Sequence, residues 1–233
     1  MKKDLNKKNL IFDLDGTLTE SRSLITKEMT TVLKEIEKDF NIVIISGAQK
    51  SQMLKQIPWL EESSFTIMSQ SGNYAEKEGE SLWQNNLSFD DLNTIFQHVE
   101  LYLKEVSNDV IEIRGGQVSV SLTGHNADRD VKKNFDKNGV KRMKILSEFP
   151  FEEKELLVRI GGTTCFDYTK VGWGKGGNLE RLFGNNKWRF HESVYVGDQL
   201  YKGGNDEDVI EIMKTIQVAG PEETLLFIRK LLS

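Results

Sequence analysis

The chain has 233 residues, of which 38% are hydrophobic and 29% charged, and a formal net charge of −5. That is the balance of a soluble globular protein with enough chain for one large or two modest domains, and its negative sign argues against a broad nucleic-acid surface. No apolar run approaches the roughly 18 residues of a membrane span, and the lone cysteine, Cys165, allows no internal disulfide, so a reducing cytoplasm is the expected compartment.

Residues 10–14 form an apolar run of strand character that stops on Asp13 and Asp15, followed at once by Gly16. Alternation with Phe12 and Leu14 sends both carboxylates off one side of an extended chain. Two carboxylates at a strand's C-terminal end suit a hard divalent cation such as Mg²⁺, and one held there can also act as a nucleophile. A calcium-binding EF-hand loop would need glycine at its sixth position and glutamate at its twelfth. Here Gly16 is fourth and Leu24 twelfth, which excludes that reading.

Residues 26–40 have helical spacing, with Met29, Leu33 and Ile36 on one face. Residues 42–45 read as a strand buried on both faces, closed by Ser46-Gly47. A short helix through Leu54 and a strand at 65–68 complete a β-α-β-α-β order, which implies a parallel sheet covered by helices. The pattern then changes. A short strand at 82–84 precedes a helix that opens at Ser88 with a loose capping box and runs to about 106. Strands at 110–114 and 118–122 flank Gly115-Gly116 as a hairpin. A charged helix over 128–149 and strands at 156–160 and 165–169 follow. Helix 175–183, strand 193–196, helix 206–213 and strand 216–218 restore the parallel character. The last helix opens at Pro221. The expected architecture is α/β: a core of residues 1–78 and 171–233 interrupted by an α+β unit of residues 79–170.

A phosphoryl-transfer site needs donors for the transferred oxygens. The Ser46 hydroxyl and the Gly47 backbone, between a strand end and a helix start, are candidates. Lys175 lies between a strand and a helix, where it could neutralise both phosphate and Asp13. Its surroundings also match the dinucleotide fingerprint at Gly172, Gly174 and Gly177, but that motif normally opens its domain and here only about sixty residues remain. Residues 193–196 make a second apolar strand that ends on glycine and an acid, Gly197-Asp198. Asn205 and Asp206 follow, able to fold back toward a cation.

These four segments, in this order, resemble those of the haloacid dehalogenase (HAD) superfamily of phosphatases and phosphomutases. The resemblance implies a Rossmann-like core, Mg²⁺ and an aspartyl-phosphate intermediate. It makes Asp13 the nucleophile and Asp15 the general acid and base, whose carbonyl touches the metal. Ser46 and Lys175 then hold the phosphoryl group, and Asp198, Asn205 and Asp206 complete the metal site. The inserted unit resembles the type C2 cap of subfamily IIB, in the branch containing eukaryotic phosphomannomutase. The similarity includes residues 111–116, Ile160-Gly161-Gly162, Phe166-Asp167 and Gly203-Gly204-Asn205-Asp206. By that resemblance Arg114 and Asp167 help bind a hexose phosphate. Three positions depart from it: the mutase's phosphate-binding Gly-Arg is Gly124-His125 here, the next cap arginine falls on Lys132 with Arg129 nearby, and the serine before Phe-Asp is Cys165. Arginine grips phosphate with a bidentate fork that lysine or neutral histidine cannot copy. The expectation is therefore a Mg²⁺ hydrolase of a phosphorylated sugar, with phosphomannomutase activity as the alternative. Its partner would be a small phosphorylated metabolite rather than nucleic acid or membrane, and it would act as a monomer or homodimer.

Overall fold

The protein is described here from a computed structural model covering residues 8–103 and 109–232, the side chain of Arg129 excepted. In chain order the elements are β1 (Lys8–Asp13), α1 (Lys27–Ile36), β2 (Phe40–Ile45), α2 (Lys50–Gln56), β3 (Thr66–Ser69), β4 (Tyr74–Lys77), β5 (Glu80–Gln84) and α3 (Phe89–Tyr102). They continue with β6 (Ile111–Ile113), β7 (Gln117–Ser121), α4 (Arg129–Phe135), α5 (Val140–Glu148), β8 (Leu156–Gly161) and β9 (Cys165–Lys170). The chain closes with α6 (Lys175–Asn186), β10 (Ser193–Gly197), β11 (Lys214–Gln217) and α7 (Pro221–Leu232). No described helix is long and apolar enough to cross a membrane.

Two sheets organise these elements. Seven strands run in the order β11-β10-β1-β2-β3-β4-β5, parallel as far as β3, with the last two added antiparallel. Successive residues of the central strands serve opposite faces, as strand geometry requires. Leu10, Phe12, Ile42 and Ile44 pack with Met29, Leu33 and Ile36 of α1, Met53 of α2 and Ile228 of α7. Ile11, Val43 and Ile45 pack with Leu179, Leu182 and Phe183 of α6. This is a Rossmann-like α/β core of three layers. The second sheet, β6-β7-β9-β8, is antiparallel, and α3 covers it through Ile95 and Val99, which are packed with Val118, Val120, Phe166 and Tyr168. The four tryptophans sit in or against these hydrophobic clusters.

Several expected elements come out differently. Strand 80–84 pairs with β4, so it belongs to the larger sheet and not with the inserted elements. The single charged helix expected over 128–149 is two helices, because Gly139 takes φ +70 and the Asp136 carboxylate accepts the amides of Lys141 and Arg142 to start the second. The helix expected over 206–213 shrinks to one turn, Glu207–Val209, since the Asp206 side chain is drawn inward and β11 already begins at Lys214. Residues 104–106 of the expected helix end lie outside the described residues.

Chain passes from the larger sheet to the smaller one at 85–88 and returns at 171–174. Both crossings meet Asn73, which is fully buried. Its carbonyl accepts the Asn85 amide at 2.7 Å, and its Nδ2 donates to the Trp173 carbonyl at 3.0 Å.

Candidate active site

Adjacent parallel strands β1 and β10 carry Asp13 and Asp198 at their C-terminal ends, where an open α/β sheet leaves its ligand crevice. Asp13, Asp198 and Asp206 each present a carboxylate oxygen to one point, the oxygens lying within 4.8 Å of one another. Lys175, the first residue of α6, is completely buried. Its Nζ donates to Asp13 Oδ1, to Asp206 Oδ1 at 2.6 Å and to the Tyr195 hydroxyl at 3.3 Å. Asp206 Oδ1 also takes the Tyr195 hydroxyl at 2.6 Å, and its Oδ2 takes the Gln199 amide at 3.1 Å.

The charge does not balance. Three carboxylates and one ammonium leave a surplus of two negative charges in a buried space. Burial pushes the Asp13 carboxyl well above the usual carboxylate range, against the pull of Lys175. Burial, with Asp206 nearby, pushes Asp198 up to about 6. Asp206 and Asp13 together raise Lys175, although burial alone would lower it. The buried Oδ1 atoms of Asp198 and Asn205 have no hydrogen-bond partner among the described residues. Surplus anionic charge and orphaned oxygen acceptors are the donor set of a hard divalent cation, so these residues fit one.

Asp15 stands apart from this cluster. Its Oδ1 accepts the Arg22 amide at 2.7 Å and Gln56 Nε2 at 3.0 Å, and the residue lines the cleft. Ser46 is buried at the end of β2, its Oγ accepting the Ala48 amide at 3.1 Å, and Gly47 follows on the cleft surface.

Between the two sheets lies a cleft that reaches Asp13, Asp15, Ser46, Gly47, Asp198 and Asn205 on the core side. Arg114, His125, Lys132, Cys165 and Asp167 line the opposite side. Every site residue named from the sequence except Lys175 and Asp206, which are buried behind Asp13, thus opens onto one cleft. Arg114 is 6% exposed, gives Nη1 to the Gly47 carbonyl at 2.7 Å and pairs with Glu112 at 2.6 Å. His125 is no surface residue, being 2% exposed, with Nε2 3.2 Å from the Ser119 carbonyl. Burial and the neighbouring Arg114 hold its imidazole below its ordinary value, hence neutral at pH 7. Burial and Arg22 lower the Lys132 ammonium.

Two residues here escaped sequence reasoning. Arg22 reaches from the core loop to Glu112 at 3.2 Å and to His125 Nδ1 at 3.2 Å, and Glu112 joins it to Arg114. Arg22 lies in an irregular loop with φ +53 and belongs to no motif; its only signal was a cation seven residues beyond Asp15. Glu112 falls in the 111–116 segment that carries the family resemblance, which assigns it no role.

Known proteins resemble this chain in sequence and in fold. A family model described as eukaryotic phosphomannomutase matches residues 29–233. Among curated relatives, a phosphomannomutase of Arabidopsis thaliana is 30% identical over 232 residues, covering 92% of each chain. One of Glycine max is 29% identical with the same coverage. In fold, the chain superposes on SMU.1108c from Streptococcus mutans UA159 with a TM-score of 0.72 at 16% identity, covering 97% of this chain and 99% of that one. It also superposes on the HAD subclass IIB sugar phosphatase BT4131 with a TM-score of 0.61 at 15% identity, covering 95% and 91%.

Proposed function

We propose that this chain, which belongs to the eukaryotic phosphomannomutase family of HAD phosphoryl-transfer enzymes, hydrolyses a hexose phosphate or similar phosphorylated metabolite through an aspartyl-phosphate on Asp13. The observation that carries hydrolysis is His125. A mutase must hold the non-reacting phosphate of a bisphosphate, and the cap position where its relatives are expected to place an arginine holds a buried, neutral imidazole.

The proposed steps use this chain's own groups. Asp13 attacks phosphorus, and the bond from phosphorus to the sugar oxygen breaks. Asp15, carrying a proton, gives it to the departing oxygen. Water then attacks the aspartyl-phosphate, Asp15 takes the water's proton, and inorganic phosphate leaves. Lys175 opposes the burial that raises Asp13, favouring its ionised form for the first step, and spreads the transferred charge, with the Ser46 hydroxyl and the Gly47 backbone on the phosphoryl oxygens. Mg²⁺, held by Asp13, Asp198 and Asn205 with the Asp15 carbonyl, would supply Lewis-acid stabilisation of the phosphoryl oxygens. Asp206 would steady both Lys175 and this metal loop. Arg114, Lys132 and Asp167 bind the sugar phosphate from the cap side, and the smaller sheet with its helices, from about residue 87 to 170, acts as the cap domain. The setting we propose is the cytoplasm.

Phosphomannomutase activity is the second reading, favoured by the curated relatives and by Arg22, Arg114 and Lys132, which still line the cleft. One assay separates the two. Mannose 1-phosphate and mannose 6-phosphate are incubated with Mg²⁺, with and without a hexose 1,6-bisphosphate, following phosphate release and isomer interconversion. Rapid release indifferent to the bisphosphate is expected; bisphosphate-dependent interconversion with little release would establish the mutase instead.

A further inference from the structure

We infer that the edge of the cap sheet holds the metal loop in shape, with Arg159 as a positioning residue, so that cation binding and docking of this edge favour each other; this rests on the Mg²⁺ reading above. β8 is an edge strand of the smaller sheet, so one row of its backbone groups faces away from β9. The loop from Asp198 to Asp208 takes up part of that row. The Ile160 amide donates to the Gly203 carbonyl at 3.1 Å, and Ile160 pairs with Gly204 as an isolated parallel bridge. Its neighbour Arg159 gives Nη1 to Asp208 Oδ2 at 3.1 Å. Asn205 and Asp206 lie in sequence between these two attachments, and the buried Asn205 Oδ1 has no hydrogen-bond partner among the described residues. The cap thus grips the loop on either side of the residues that fit a cation.

The same docking accounts for glycine at the start of α6, where the dinucleotide fingerprint fell. Gly174, at φ −73, needs no glycine for its backbone. A Cβ there would lie 2.2 Å from Asp208 Oδ2 and 2.4 Å from Arg159 Nη1, so a side chain would displace the ion pair. At Gly176 a Cβ would lie 2.4 Å from the Asp208 carbonyl oxygen, so a side chain would push the whole turn away. The first turn of α6 is therefore bare on both sides of Lys175, where the Asp208 turn and the Arg159 head group lie against it. Arg159 reaches the site only through Asp208 and this turn, which makes it a positioning residue.

Calorimetry of Mg²⁺ binding and amide hydrogen exchange, both without substrate, test the inference. Charge alone would make Arg159→Gln bind Mg²⁺ more tightly, because a cation near the carboxylates is gone. A positioning role demands the opposite sign: binding weaker by about fivefold or more, the lower range of coupling between two sites. Arg159→Lys, which keeps a charged donor, should stay within about twofold of wild type. By reciprocity, Mg²⁺ should slow exchange of the Ile160 amide in the wild-type protein by a similar factor and leave amides bonded within the β8–β9 ladder unchanged. An Ile160 amide indifferent to Mg²⁺, or an Arg159→Lys variant as weak as Arg159→Gln, would overturn the inference. A wild-type protein that binds no Mg²⁺ would overturn the metal reading and this inference together. Wild-type binding that Arg159→Gln leaves unchanged or tightens would overturn this inference alone.

Discussion

Among the described residues the core and the cap each bury one cation completely, and they hold it in different ways. Lys175 in the core touches two carboxylates and a hydroxyl. Arg142 in the cap meets one carboxylate, Asp136, at 2.9 Å, and spends its other donors on carbonyls: Gly161 at 2.8 Å, Cys165 at 3.0 Å and Asp136 at 3.0 Å. A compact ammonium acts as a point charge that several carboxylates can share, so it can stay in place while the charge on one of them changes during reaction. A planar guanidinium spreads its donors in a fixed fork, which pins a loop in one shape. The difference separates a group available to chemistry from a group that builds the wall around it: Gly161 to Cys165, held by Arg142, line the cleft.

The sharpest way to break this contrast is at Lys175. Lys175→Met should abolish measurable turnover and destabilise the fold by about 3–5 kcal/mol in chemical denaturation, because Asp13 and Asp206 are left buried without their counter-ion. Lys175→Arg should fail to restore activity, since a fork cannot occupy the position of a point charge. Arg142→Lys should act differently. It should cost about 2–3 kcal/mol of stability through unpaired carbonyls and raise KM for sugar phosphates, with p-nitrophenyl phosphate turnover within about threefold of wild type. Equal effects on both substrates would erase the distinction drawn between the two sites.

A smaller effect follows from Asp198, whose carboxyl is raised from 3.8 to about 6 by burial and Asp206. A protonated carboxyl does not ligate, so apparent Mg²⁺ affinity, followed by calorimetry, should fall as pH drops through about 6. Below it, affinity should weaken up to about tenfold per pH unit. Without metal the sign reverses for stability. The folded chain retains this proton between pH 3.8 and 6 while the unfolded chain has lost it, so the contribution of Asp198 is full below that window and is lost as pH rises through it. Metal-free denaturation midpoints that rise across this window would contradict the assignment.

How much of this was legible depended on whether a residue's role was local. Strands ending on Asp13 and on Gly197-Asp198 were readable, because an apolar run that stops on an acid carries its signal within a few residues. The parallel order followed from alternating periods. Strand β4 was not seen: Tyr74 to Lys77 is half polar, and it follows Gln70 and Ser71, two non-glycine residues with φ near +55 to +59 that no local rule anticipates. The break at Gly139 was hidden inside a run of charges. Arg22, Glu112 and His125 were invisible as a cluster because Arg22 lies 90 and 103 residues from its two partners. Their meaning exists only once the two sheets face each other across the cleft.

Asn73 gives the joined sheets a mechanical property. The segments leaving for the cap and returning from it are tied to one buried asparagine, and a Cβ on Gly116, from the β6–β7 turn, would collide with that same side chain. Once the other bridges between the sheets let go, among them Arg114 to Gly47, Arg22 to Glu112 and Ile160 to Gly203, opening is expected to pivot on a fulcrum near Asn73. Displacement should grow with distance from that fulcrum, so a pair of spectroscopic labels spanning the cleft near Lys132 should register opening that a pair beside Asn73 scarcely feels.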